Sequence, residues 1–202
     1  MTIEEALAIV KRKNEGRYPH ILGTFEMATH LAKYYKEDLE KCQIAAILHD
    51  YAKNESFKTM KEIILKHGSP DKDYLSHSKN IYHAPVARYL VEQRFGISDP
   101  DILDAIESHV TGWPNMNNIA KIVFISDYIE KGRTHPSVVY CRYLSGLSLD
   151  VAVVGICEHT LSYLHSIQDT KIHPLLTQTY QTFLEKVGED YYESIKNNYK
   201  RL

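Results

Sequence analysis

Five places in this 202-residue chain set histidine or carboxylate where an apolar helical face would bury it. His20 opens a helical stretch in RYPH, and His49-Asp50 closes AAILHDYAK. His109 ends AIESHVTG, Asp127 follows the run KIVFIS, and His83 stands in IYHAPVARYL. A carboxylate buried alone is costly. Each residue has an ordinary explanation by itself, such as a helix cap or a satisfied buried hydrogen bond. Several such residues on separate helices ask for a joint one. Metal chemistry supplies it, because imidazole with carboxylate suits iron, manganese or zinc, and a bound cation removes the desolvation problem. Neighbouring residues on a helix point about 100° apart, so His49 and Asp50 both reach one site at a helix crossing. Asp50 has two oxygens and is able to bridge two ions. Lys53 follows at three and four residues, on the same side. A charged ammonium is no ligand, but it holds a phosphate oxygen or orients a carboxylate. The remaining histidines read as ordinary. His67 suits a helix C-terminus, and His30, His77, His135, His159 and His165 read as surface or satisfied core.

The elements that must carry these residues are helical almost throughout. Thr2 and Glu5 form a capping box before a stripe of Ile3, Ala6, Leu7 and Val10. Helices are predicted over 19–35, over 38–51 behind an Asp38 cap, and over 57–67 to a stop at Gly68. Residues 69–80 are polar and weakly patterned, a loop with about one helical turn. A helix over 83–95 closes at Gly96. Asp99-Pro100 starts another, ending near Thr111-Gly112, and Asn117 or Asn118 starts the one leading to Asp127. A short helix over 137–145, a long apolar one over 148–167 and a last one over 174–200 complete the chain. The expected fold class is all-α, one domain over 1–202. The pattern leaves open whether the last helices join the same body or form a small lid.

Bulk composition agrees. Apolar residues make up 44% and charged residues 25%, with a net charge of −2. That is ordinary globular material for one domain. With no basic excess, nothing argues for nucleic acid, and no apolar run is long enough for a membrane span. The N-terminus is unlike a signal peptide. Cys42, Cys141 and Cys157 form no CxxC pair and read as small buried hydrophobes. They favour a reducing compartment, and the expected location is cytoplasmic.

His20, then His49-Asp50, then Asp127, in that order and on predicted helices, resembles the H…HD…D signature of the HD-domain superfamily of metal-dependent phosphohydrolases. The chain resembles in particular its YqeK branch, the bacterial symmetrical bis(5′-nucleosyl)-tetraphosphatases. RYPHILGT, AAILHDYAK, HAPVARYL, AIESHVTGWPNM and KIVFISDYIEKGR carry that resemblance, threading most of 15–135. The tail, with its IHP at 172–174, is similar more faintly. Where the branch is expected to carry Gly, a second Thr, Ala and a nearby Pro, this chain has Ala84, Val110, Ser126 and Lys131. Those departures touch the shape of the pockets and leave every proposed ligand in place.

The resemblance implies a metal, iron by expectation with manganese or another divalent ion as the alternative, held by His20, His49, Asp50 and Asp127. His83 and His109 match extra histidines that either ligate a second ion or stay protonated against phosphate. The implied reaction cleaves diadenosine tetraphosphate in the middle to two ADP, by hydroxide generated on the metal. Asp50, Lys53, His83 and His109 are the implied catalytic group. Arg17 and Arg133 would clamp phosphates, since guanidinium pairs well with them. Thr111, Ile172 and His173 complete the implied nucleotide contacts, with loop 170–173 at the nucleoside end. A plain interhelical turn is the equal alternative for that loop. Residues 15–135 would form the metal-site core, and 136–202 the helices completing the nucleotide pocket. Other HD-domain activities are the alternatives: a nucleotide phosphatase, a deoxynucleotide triphosphohydrolase, or a non-catalytic signalling module. A cyclic-dinucleotide phosphodiesterase is disfavoured, because no GYP motif follows the HD pair. A homodimer is the expected assembly, C₂ pairs being common.

Overall fold

Helix α1 (Ile3–Lys13) starts where the sequence says it should. The Glu5 N–H donates to the Thr2 hydroxyl at 3.2 Å and the Thr2 N–H donates to the Glu5 carboxylate at 2.8 Å. The computed structural model describes residues 1–68 and 72–201. Next come α2 (Tyr18–Tyr35), with Pro19 in its first turn, and α3 (Leu39–Leu48), where Asp38 accepts the Lys41 N–H at 3.0 Å. Helix α3 stops three residues short of the expected Tyr51. There the backbone tightens, with Tyr51 N–H on the Leu48 carbonyl and Lys53 N–H on that of Asp50. The Asp50 carbonyl also accepts the Asn14 side-chain amide at 3.1 Å, which ties this turn to the end of α1.

Helix α4 (Phe57–His67) runs to Gly68 behind a Ser56 cap. Residues 69–71 of the expected loop lie outside the described residues. Its remainder holds two short turns of 3₁₀ helix, Tyr74–Ser76 and Lys79–Ile81. Helix α5 (His83–Phe95) closes at Gly96, whose φ of 64° suits a residue without a Cβ. Helix α6 (Pro100–Ser108) begins with Asp99 accepting the Asp101 N–H, and α7 (Asn118–Ile129) with Asn117 accepting that of Ala120. Helices α8 (Val138–Leu147) and α9 (Leu149–His165) follow. The single helix expected over 174–200 is two, α10 (Pro174–Val187) and α11 (Glu189–Tyr199). Gly188 breaks it at φ 86°, a backbone setting that no helix continues through.

Helices α2, α3, α6 and α7 pack together at the centre, with α5 on α6 and α4 on α5. Helix α9 lies on α7 and receives α8 and α10. Fully buried Ile21, Ile47, Leu48, Ile106, Ile122 and Ile125 bind the central four together. Each carries a chemically active residue close by in sequence: Ile21 follows His20, Leu48 precedes His49, Ile106 lies one turn before His109 and Ile125 two before Asp127. Packing the core therefore fixes the active groups. The three cysteines are free and buried, as read. Among the described residues no helix is long and apolar enough to cross a membrane.

On α10, Phe183 is fully buried, and Thr179 presses on Gly112, where an added Cβ would fall 2.7 Å from its methyl. Phe183→Ala is expected to lower the stability of the whole chain by about 3–5 kcal/mol in one transition. Differential scanning calorimetry checks this; a second transition would instead mark the C-terminal helices as a separate unit.

Candidate metal centre

Six side chains from five elements converge, with Asp50 at their centre. On its Oδ2 side stand His20 Nε2 at 3.7 Å and His49 Nε2 at 3.5 Å. On its Oδ1 side stand His83 Nε2 at 3.2 Å and His109 Nε2 at 3.9 Å. Asp127 closes the first side, its Oδ1 at 3.0 Å from His20 Nε2 and 3.9 Å from His49 Nε2. Among the described residues, three overlapping triads have spacings able to hold a metal ion: His20-His49-Asp50, His49-His109-Asp127 and Asp50-His83-His109.

The outer contacts settle which nitrogens face inward. The Nδ1 of His49 lies 2.7 Å from the Ala46 carbonyl and that of His109 2.6 Å from the Ile106 carbonyl. A carbonyl only accepts, so both protons sit on Nδ1 and each Nε2 lone pair is turned to the cluster. His20 Nδ1 has the Glu130 carboxylate at 3.2 Å in the same role. Two pairs of Nε2 atoms then face each other, His20 with His49 at 3.3 Å and His83 with His109 at 3.1 Å. Opposed lone pairs at that distance need a proton or a cation between them. The donor set, imidazole and carboxylate with oriented outer partners, fits a divalent transition metal.

The electrostatics agree. Burial alone would raise the Asp50 carboxyl, but His49 and His83 hold it well below the usual carboxylate range. Burial would raise Asp127 too, and His20, His49 and Arg133 outweigh it. Burial opposes charge on His49, yet the adjacent Asp50 raises its pKa above the ordinary imidazole value. Burial lowers His83, and lowers His109 much further with His49 and His83 beside it. A metal held at Nε2 would compete with a second proton there and leave the one on Nδ1 in place.

The cluster floors a cleft of about 330 Å³. Arg17, Lys53 and Arg133 bring positive charge to its walls, with Asn80, Val110, Tyr128 and Thr160 alongside. Both arginines grip a carboxylate of the cluster. Arg17 Nε donates to Asp50 Oδ2 at 2.6 Å, while Arg133 Nη2 donates to Asp127 Oδ1 at 2.6 Å and its Nε to the Asp127 carbonyl at 2.9 Å. Lys53 Nζ sits 3.2 Å from His83 Nε2, and burial pushes its pKa down.

The structure thus gathers His20, His49, Asp50, Lys53, His83, His109, Asp127, Arg17 and Arg133. Thr111, Ile172 and His173 are not among the cleft walls. Thr111 is buried with its hydroxyl on the Gly112 carbonyl and its own carbonyl facing Thr179. Ile172 packs on the core. His173 caps α10 by accepting the Leu175 N–H, and bonds through Nε2 to the Lys72 carbonyl. Sequence reasoning missed Glu130. It is buried, and besides His20 it accepts the Gly132 N–H. Its place three residues after Asp127, on the same helix face, was the available signal. Tyr128 and Thr160, cleft walls from α7 and α9, carried none.

The family model for the HD domain matches residues 17–132. The chain belongs to the HD-domain family. It is 39% identical over 184 residues to the symmetrical bis(5′-nucleosyl)-tetraphosphatase of Bacillus subtilis (strain 168), covering 91% of this chain and 96% of that protein. The enzyme of the same name from Halalkalibacterium halodurans is 38% identical over 181 residues, covering 89% and 96%. Among solved structures, a Clostridium acetobutylicum protein described as a predicted HD superfamily hydrolase involved in NAD metabolism superposes with a TM-score of 0.85 at 30% identity. The match covers 92% of this HD-domain protein and 98% of the other chain. The all-helical HD fold read from the sequence is the fold observed.

Proposed function

We propose that this HD-domain protein is a symmetrical bis(5′-nucleosyl)-tetraphosphatase, hydrolysing diadenosine tetraphosphate at its central anhydride to two ADP. One observation carries the reading: a complete His/Asp ligand cluster lies under a cleft walled by Arg17, Lys53 and Arg133, in a chain aligned along nine-tenths of its length with relatives of that name. A non-catalytic module has no need to retain all of these groups.

His20, His49, Asp50 and Asp127 would hold the metal, iron by this reading, with manganese or another divalent ion able to serve. His83 and His109 stand ready on the second Asp50 oxygen, as ligands of a further ion or as phosphate contacts. When bound, a divalent ion supplies Lewis acidity and a nucleophile from water at neutral pH. The protein's own groups do the rest. Arg17 and Arg133 orient the two carboxylates and present their remaining N–H groups to phosphate oxygens. Lys53 offsets charge building on the attacked phosphoryl group. Water adds to phosphorus, the central P–O–P bond breaks, and its electron pair leaves on the ADP oxygen. We place this work in the cytoplasm, where free cysteines stay reduced, and in a homodimer.

Incubation with diadenosine tetraphosphate, followed by anion-exchange chromatography, is expected to release ADP alone. AMP with ATP would mean asymmetric cleavage and overturn the reading. Stripping metal with a chelator should stop turnover and resupply of ferrous or manganous ion restore it; turnover undiminished by metal removal would refute the metal's role.

A further inference from the structure

Beside the metal cleft lies a larger groove of about 930 Å³ between α7, α8, α9 and α11. The two are continuous, since Tyr128, Arg133 and Thr160 wall both. Arg133 stands at the junction, with its guanidinium on Asp127. The groove itself is largely aromatic. Tyr140 and Tyr199 pack at 4.7 Å between ring centres, His135 lies against Tyr128 at 4.4 Å, and Tyr163 stands at the rim 65% exposed. One polar atom in its wall, the Nε2 of His159, is buried without a hydrogen-bond partner among the described residues, while the Tyr140 hydroxyl faces that of Tyr192. His159 was read as surface or satisfied core, and it is neither. Glu158, also in the wall, carries Lys196 and the Tyr192 hydroxyl and keeps further lone pairs.

Central cleavage fixes what must lie here. The reacting bond sits at the middle of the substrate, so two nucleoside halves extend from the metal in different directions. The cleft, about 330 Å³, has roughly a third of the groove's volume, and the path past Arg133 opens into this groove. Flat aromatic walls suit a base of any identity, and the volume is that of a small-molecule pocket. We infer that this groove seats the second nucleoside of the dinucleoside polyphosphate, the half that departs as ADP, with its phosphates passing Arg133. The inference rests on the proposed reading of the reaction and adds the place where substrate length is measured.

Ser162, exposed on α9 in the groove wall, and Tyr163 give variants that leave the core intact. The test is calorimetric binding to the metal-loaded protein of two non-hydrolysable methylene analogues, of diadenosine tetraphosphate and of adenosine 5′-tetraphosphate. The wild type is expected to bind the dinucleotide about tenfold more tightly, the scale of one stacked base. Ser162→Trp, which fills the groove, and Tyr163→Ala, which removes a wall, should each erase most of that advantage. No advantage in the wild type, or an advantage that both variants keep, overturns the proposal. Failure of the hydrolase reading shows separately, as intact diadenosine tetraphosphate after incubation with wild-type protein, and leaves this binding comparison readable.

Discussion

Asp50→Ala is expected to abolish metal binding and turnover together. Asp50 turns one oxygen to each half of the cluster, Oδ2 toward His20 and His49, Oδ1 toward His83 and His109. Its loss takes a ligand from either possible ion and leaves Asp127 facing four converging imidazoles. Activity should fall by about a hundred- to a thousandfold or more, the lower bound being the loss seen when a single electrostatic stabiliser is removed. The fold should survive, since the partner left behind, Arg17, is part-exposed and regains water. Thermal unfolding separates these effects. Wild type should gain about 2.7 kcal/mol at a metal concentration a hundred times its Kd, and the variant should gain none. A variant that keeps the metal-dependent gain while losing activity would move Asp50 from ligand to purely catalytic group.

Replacing Glu130 should weaken metal binding although Glu130 is not itself expected to be a ligand. Its carboxylate fixes the His20 ring through Nδ1 and is itself held by the Gly132 N–H. Loss of such an outer partner costs about 10–100-fold in metal affinity. Glu130→Ala should fall toward the upper end and Glu130→Gln, which keeps an accepting oxygen, toward the lower. Gly23→Ala is an independent check, because a Cβ there would stand 2.4 Å from Glu130 Oε2 and push the carboxylate off His20. Competition titration against a fluorescent chelator reads all three. Unchanged affinity in Glu130→Ala would make His20 self-sufficient and the Glu130 contact merely structural.

These residues show what a sequence makes visible here. His20, His49, Asp50, His109 and Asp127 stood out because each adjoins an apolar face, and the same core packing that made them conspicuous brings them together. Caps were equally open: Thr2, Asp38 and Asp99 each act where they were read, and Asn117 is the one of the two candidate asparagines that caps α7. Glu130 was hidden because its burial comes from Gly23, on a helix far away in the chain, while its neighbours Lys131 and Gly132 look like a solvated helix end. The break at Gly188 was hidden because Leu184 and Val187 before it and Tyr192 and Ile195 after it keep helical spacing across a single glycine, and an isolated glycine does not by itself end a helix. His159 was read as surface or satisfied core because no carboxylate stands at ligand spacing. Its situation depends on α8 and α11 closing over α9, a matter of tertiary packing. Arg17 was read as a phosphate clamp alone, and its second attachment, to Asp50, needed the turn after α3 to be seen.

That turn bears on where a minimal fragment of this protein could be cut. The family match begins at residue 17, yet the Asp50 carbonyl is held by Asn14, a fully buried side chain just outside it. Lys13 reaches the same region through Glu55 at 2.6 Å. A fragment trimmed to the family boundary would keep every ligand and lose the brace that shapes the loop presenting two of them. A fragment made for metal-binding work is therefore expected to need α1, which carries the chain to Asn14 and its hold on the Asp50 carbonyl.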